Sequence, residues 1–260
     1  MPELSSARWT DIDAAPRRVL VVPLGSLEQH GPHLPLDTDT RIASAVAARA
    51  CAGMPGAGLA PPVAIGASGE HADFPGTLSI GTSALTTMLV ELVRHASLHW
   101  PATLLVNGHG GNIPAIRAAV SRLRSEGRVC DVWHAGAPES APGVAADAHA
   151  GRFETSVMLA LAPDDVRLDL AAPGDTRPLA ELMPELAARG VRAVSPGGVL
   201  GDPAGASAGE GERLIGRMVA GLRDTLKNYL SRTDRPCLRI LPATRRSCAS
   251  VGADALASIA

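Results

Sequence analysis

Aromatic residues are nearly absent: Trp, Tyr and Phe make up 2% of the 260 residues. Base-stacking surfaces for nucleic acid are built from such rings, so that class of partner is disfavoured at once. No basic excess replaces them. The formal net charge is −2 at pH 7, which offers neither a phosphate-binding face nor attraction to an anionic membrane. Cysteine is sparse: Cys51, Cys130, Cys237 and Cys248 form no CxxC pair and no disulfide framework. No apolar run approaches the roughly 18 residues that mark a membrane span. The opening MPELSSARWTDIDAAP has no basic stretch followed by an apolar one, so no secretory signal is expected. G-x-S-x-G, Walker and GxGxxG patterns are missing too. The expectation is a cytoplasmic protein with no nucleic-acid or membrane partner and no serine or cysteine nucleophile.

What the chain has instead is Ala, Gly, Val and Leu, enough at this length for one sizeable core. The patterning predicts a single α/β domain over residues 19–230, with a mostly parallel central sheet flanked by helices. Residues 1–18 read as an N-terminal arm and residues 231–260 as a tail outside the fold. Val19–Leu24 is apolar throughout, as a strand covered on both faces should be. Further strands are expected over 59–65, 103–106 and 128–133. Helical spacing appears over 39–51, after Thr82, after the NGHGGN turn, over 155–161, and after Ser207-x-x-Glu210, a capping-box pattern. Residues 168–184 look irregular, and Val191–Val194 with the glycines beyond it reads as hairpin-like. His95 and His99 fall near a helix C-terminus, where the helix dipole favours surface histidines.

The chemistry concentrates after strands. Glu28 and His30 are two apart, on one face if the first strand reaches them. Asp39 follows after a Gly- and Pro-rich excursion. Alone, such a trio is more often ordinary surface chemistry than a metal site. Two more junctions change the balance: NGHGGN presents His109, and DAHAGRFETS presents His149 and Glu154. In a parallel sheet the C-terminal strand ends share one edge, so the three junctions can converge. Glu28, His30, Asp39, His109 and Glu154 offer three carboxylates and two imidazoles. That set suits two divalent ions with Asp39 as bridge, and the matching chemistry is amide hydrolysis. The donor types accept Fe(II), Zn(II) or Mn(II) without choosing among them.

Taken together, SLEQHGPHLPLDTDT, GEHADFPGTLSIGT, LLVNGHGGN and HAGRFETS resemble the creatininase family of metal-dependent amidohydrolases. The resemblance implies an α/β fold around a parallel sheet, a two-metal site and a homo-oligomer, specifically a hexamer. It matches Glu28, Asp39 and His109 to one ion, and His30 and Asp39 to the other. It also makes His149 the proton-transfer group, beside Glu154, and places Ser68, Glu70, His71 and Gly110 along the substrate. One departure stands out. Creatinine-hydrolysing members carry a glutamate two residues past the histidine and an aromatic beside it; here those positions are Gly111 and Gly110. Glu154 is the natural substitute ligand, and creatinine is disfavoured as substrate. The wording of residues 79–82, 85–91 and 195–203 is similar to the mycofactocin-system branch, whose members cut a modified precursor peptide to release its Val–Tyr-derived C-terminal unit. A small-molecule amidohydrolase and a non-catalytic metal-binding protein stay open as alternatives.

Overall fold

The computed structural model describes residues 3–136 and 147–231. The predicted tail, apart from Ser231, lies outside the described residues. Four parallel strands form the sheet: β1 (Val19–Leu24), β2 (Ala57–Leu59), β3 (Thr103–Asn107) and β4 (Cys130–His134), in the order β2-β1-β3-β4. The register sets Leu20 beside Thr103 and Leu24 beside Asn107. β1 and β3 are central, and every one of their residues is buried. That is why β1 shows an unbroken apolar run rather than alternation.

Strand alternation sends side chains to two separate cores. Val19, Val21, Leu104 and Val106 pack with α2 (Thr38–Cys51), α5 (Arg152–Leu161) and α8 (Ala208–Leu230), through residues such as Ile42, Val46, Val157, Met158, Leu222 and Leu226. Leu20, Val22, Leu24 and Leu105 pack on the other side with α3 (Gly81–Ala96) and α4 (Ile113–Ser125), through Leu85, Leu89, Ile116 and Leu123. Cys51 and Cys130 are buried in these cores, and burial pushes both thiols up, to about 11 and about 12. Neither is a nucleophile in waiting.

Before the sheet, α1 (Trp9–Asp13) belongs to the arm, and Leu4 donates its N–H to the Leu59 carbonyl at the β2 edge. The Ser207 side chain caps α8 by accepting from the Glu210 N–H, as the sequence pattern suggests. Three expectations are corrected. The second strand is Ala57–Leu59, not residues 59–65: Pro61 and Pro62 have no N–H to give the ladder, which resumes only as an isolated bridge between Leu24 and Val63. Val191–Val194 is a short helix, α7, following α6 (Leu179–Arg189), and not a hairpin strand. Val191 and Leu182 bury together with Leu200, so tertiary packing overrides the β-branched local pattern. Helix α6 also occupies ground that read as irregular, because Pro184 sits inside it and interrupts the helical signature.

Strand order reverses between β1 and β3, so the loops after these two strands flank the switch point of the sheet. In open α/β sheets that crevice is where ligands bind.

Candidate metal centre

The loop after β1 leaves the ladder at Leu24, so Glu28 and His30 are loop residues rather than strand neighbours. They converge all the same. Glu28 is fully buried, and neither carboxylate oxygen has a hydrogen-bond partner. Around it stand imidazoles: His109 Nε2 lies 3.1 Å from Oε2, and His71 Nε2 lies 3.3 Å from Oε1. His109, which holds its proton, is close enough for charge attraction, whereas His71 is neutral, and neither nitrogen meets hydrogen-bond geometry to Glu28. A buried carboxylate without hydrogen bonds is costly unless a cation balances it.

Asp39 enters from the first turn of α2, where the helix dipole favours an acid. Its Oδ1 meets His30 Nε2 at 3.1 Å, and its Oδ2 meets His109 Nδ1 at 3.1 Å and accepts from Ser26 Oγ at 2.9 Å. His30 Nδ1 lies 3.1 Å from the Glu28 main-chain oxygen. Donating there leaves Nε2 to face Asp39 and, at 3.9 Å, Glu154 Oε2. His109 arrives from the turn after β3. Gly108 beneath it must lack a side chain, since a Cβ would sit 2.7 Å from the Asp39 carbonyl oxygen. Asn112 ties the loops together: its Oδ1 accepts from Ala67 N–H, and its Nδ2 donates to the Gly25 carbonyl.

His149 and Glu154 come from the segment leading into α5. Ala150 has φ 54°, the one positive value at a non-glycine among the described residues, and its N–H donates to Glu154 Oε2 at 2.6 Å. This left-handed turn holds the acid toward His30. Ligand atoms of Glu28, Asp39 and His109 lie within 4.8 Å of one another, as do those of His30, His149 and Glu154. Asp39 touches members of both sets.

Electrostatics divide the histidines. Burial alone would push His30 down, but Asp39, Glu154 and Glu28 win and hold it at about 10. Burial likewise opposes the charge on His109, yet Glu28 and Asp39 hold it well above the usual range. Against burial, His30 and His109 hold Asp39 well down, and His109 lowers Glu28. Protons on His30 and His109 thus stand where cations are wanted. His149 and His71 go the other way: burial, reinforced by His30 at one and by His149 at the other, lowers both, His71 to about 3. Burial raises Glu154 to about 8, with His30 pulling against it.

The remaining candidates lie around this centre. Ser68 is fully buried with Oγ 3.4 Å from His109 Nε2, and Glu70 Oε1 is 3.5 Å from the same nitrogen. A Cβ at Gly111 would fall 2.3 Å from Glu70 Oε1, so Glu70 fills space that a side chain at 111 would need. Gly110 is exposed, and a Cβ there meets nothing within 4 Å. His71 is buried against Glu28 and His149 rather than open to the rim. His33 bonds Thr155 at 3.0 Å and stands apart, while His95 and His99 are exposed on and just beyond α3. Gln29, overlooked in the sequence, contacts both His71 and His149. Its position between Glu28 and His30 was the only available signal.

The donor set, the orphaned Glu28 carboxylate and the paired clusters all suit divalent cations. A family model described as creatinine amidohydrolase matches residues 5–226. The chain belongs to the creatininase family. Its relatives include a mycofactocin precursor peptide peptidase of Mycolicibacterium smegmatis, 55% identical over 216 residues that cover 81% of this chain and 85% of the relative. A solved creatinine amidohydrolase (creatininase) superposes with a TM-score of 0.72 at 28% identity, over 88% of this chain and 98% of that one. A variant creatininase in a zinc–zinc form gives 0.70 at 28% identity, with the same coverages. The family fold and the acid–imidazole centre make this chain a metal-dependent hydrolase of C–N bonds.

Proposed function

We propose that this creatininase-family protein is a peptidase that hydrolyses an amide bond of the mycofactocin precursor peptide and releases its modified Val–Tyr-derived C-terminal unit. The observation that carries the metal chemistry is the buried, hydrogen-bond-free Glu28 facing Asp39 and His109, joined through Asp39 to a second set of ligands. The named substrate of the relative at 55% identity carries the peptide assignment. Glu28, Asp39 and His109 would hold one ion, and His30, Asp39 and Glu154 the other, with Fe(II), Zn(II) or Mn(II) as the candidates. Bound there, such ions would polarise the scissile carbonyl and lower the pKa of an attacking water.

The chain's own groups handle the protons. His149 is neutral and turns Nδ1 toward the centre, so it can take a proton from the attacking water and return it to the leaving amine. Water is thereby divided between the two fragments: hydroxyl to the carbonyl carbon, hydrogen to the nitrogen. Ser68 and Glu70, beside His109, would contribute to binding the peptide. Exposed Leu168, Leu170, Leu179 and Met183 support self-association into a homo-oligomer, which light scattering would count.

Protein reconstituted with each metal, mixed with the modified peptide, is expected to release the C-terminal fragment by mass spectrometry. Glu28→Ala protein is expected to release none. Metal-loaded native protein that leaves the peptide intact would remove the substrate assignment. Creatinine fits poorly, because Gly110 and Gly111 supply neither the ring nor the carboxylate of creatinine-hydrolysing members. The open space over Gly110 gives a further prediction. Gly110→Tyr should keep fold and metal content but raise KM for the peptide about tenfold, as steady-state kinetics would show.

A further inference from the structure

Gln29 is 5% exposed and lies between the histidines of the centre. Its amide orientation follows from counting donors and acceptors. Oε1 accepts from the Gly31 N–H at 2.8 Å, so the opposite end of the amide is the NH2 group. That group lies 2.8 Å from His71 Nδ1 and 3.1 Å from the Gly198 carbonyl oxygen. Two hydrogens meet two acceptors. His71 Nδ1 therefore carries a lone pair, and its proton sits on Nε2, which faces Glu28 Oε1 at 3.3 Å.

The main chain of the same residue acts on the other ring. His149 Nε2 lies 2.7 Å from the Gln29 carbonyl oxygen and donates to it. The 3.1 Å approach of the amide nitrogen to this Nε2 is then a contact between donors, not a bond. His149 Nδ1 is left with its lone pair, 3.7 Å from the Glu28 Oε1 that His71 also faces. The two ring centroids are 4.5 Å apart.

We propose that Gln29 is a positioning residue that locks both imidazoles in the Nε2–H form but turned end for end. His71 presents a proton to Glu28, and His149 presents a lone pair to the reacting centre. By distance alone, Glu28, His71 and His149 could also hold an ion. The proton count removes that option, because a ligating nitrogen must be free of its proton. His71 instead steadies one oxygen of Glu28 while the other faces His109. The loop over 195–201 closes on this device: Gly198 has φ +82°, and a Cβ there would fall 1.9 Å from Gln29 Oε1.

The proposal rests on the peptidase reading only for its catalytic consequence; the tautomers can be read without substrate. Histidine-15N-labelled, Zn(II)-loaded full-length protein is examined by long-range 1H–15N correlation. The expected native pattern is a protonated Nε2 and a bare Nδ1 on His71. In Gln29→Met, His71 should drift toward a mixture of tautomers, while His149, held by main chain, keeps its pattern. kcat on the peptide should fall about 10–100-fold, with a much smaller change in KM and unchanged metal content. If Gln29→Met does not fold, Gln29→Glu serves, and His71 should then move its proton to Nδ1. A native His71 protonated on Nδ1, a His71 zinc-ligand shift, or a His71 pattern indifferent to both substitutions would overturn the proposal.

Discussion

Asp39→Ala is expected to abolish tight binding of both ions and to lower amide hydrolysis by at least about 10³-fold, a loss of roughly 4 kcal/mol of transition-state stabilisation. Each oxygen of Asp39 serves a different set of ligands, Oδ1 at His30 and Oδ2 at His109, so no neighbour can replace it. Of the two proposed ions, Glu28 would hold one with His109, and Glu154 the other with His30. Removing either should therefore spare part of the metal content where Asp39→Ala spares none. Ser26→Ala removes only the hydroxyl that bonds Oδ2, and a tenfold or so weaker metal affinity is its expected limit. The fold should survive Asp39→Ala. Breaking a buried ion pair costs about 3–5 kcal/mol when the surviving charge is stranded. Here His30 and His109 can release their protons instead, which caps the penalty. Metal analysis, thermal unfolding and peptide turnover on the three variants separate these outcomes. Retention of both ions by Asp39→Ala would refute the bridging role.

The parts of this centre that lie in contiguous motifs were legible in the sequence. Glu28, His30 and Asp39 fall in the segment after an unbroken apolar strand, and NGHGGN begins at the end of another. Their convergence follows from a parallel sheet, whose C-terminal strand ends share one edge. The partners reached only through folding were less visible. Gln29 meets His71 across 42 residues and His149 across 120, and no periodicity encodes such a contact. His71 follows Ser68 and Glu70 in a segment read as lining the substrate, and only the fold shows it buried against Glu28 and Gln29. Helices α6 and α7 were missed for a related reason. Pro178, Pro184 and Gly190 punctuate them, and the burial of Leu182 and Val191 under Leu200 decides the local conformation.

Metal affinity should climb steeply with pH, and well past the point where ordinary histidines have finished titrating. In the metal-free protein His30 keeps its proton up to about 10, where an unperturbed imidazole would lose it near 6.5. An ion held by His30 must displace that proton. Below about pH 10 each unit of pH therefore gains roughly tenfold in affinity for every proton released. His109, also held well above the usual range, adds a second proton at the other ion. Glu154, raised to about 8, adds another below that pH. The slope should ease near 8, as Glu154 finishes titrating, and again near 10, as His30 does. Two controls fix the sign. The raised His30 pKa stabilises the metal-free fold fully below about 6.5 and progressively less as pH rises toward 10. Metal-free protein should thus grow more heat-labile across that alkaline window, whereas the zinc-loaded form, with no His30 proton to lose, should not. Competition titrations with a chelator of known protonation constants, from pH 6 to about 10, measure the first effect; calorimetry of both forms measures the second. A metal affinity already flat above about pH 7 would mean that His30 lies outside the ligand set.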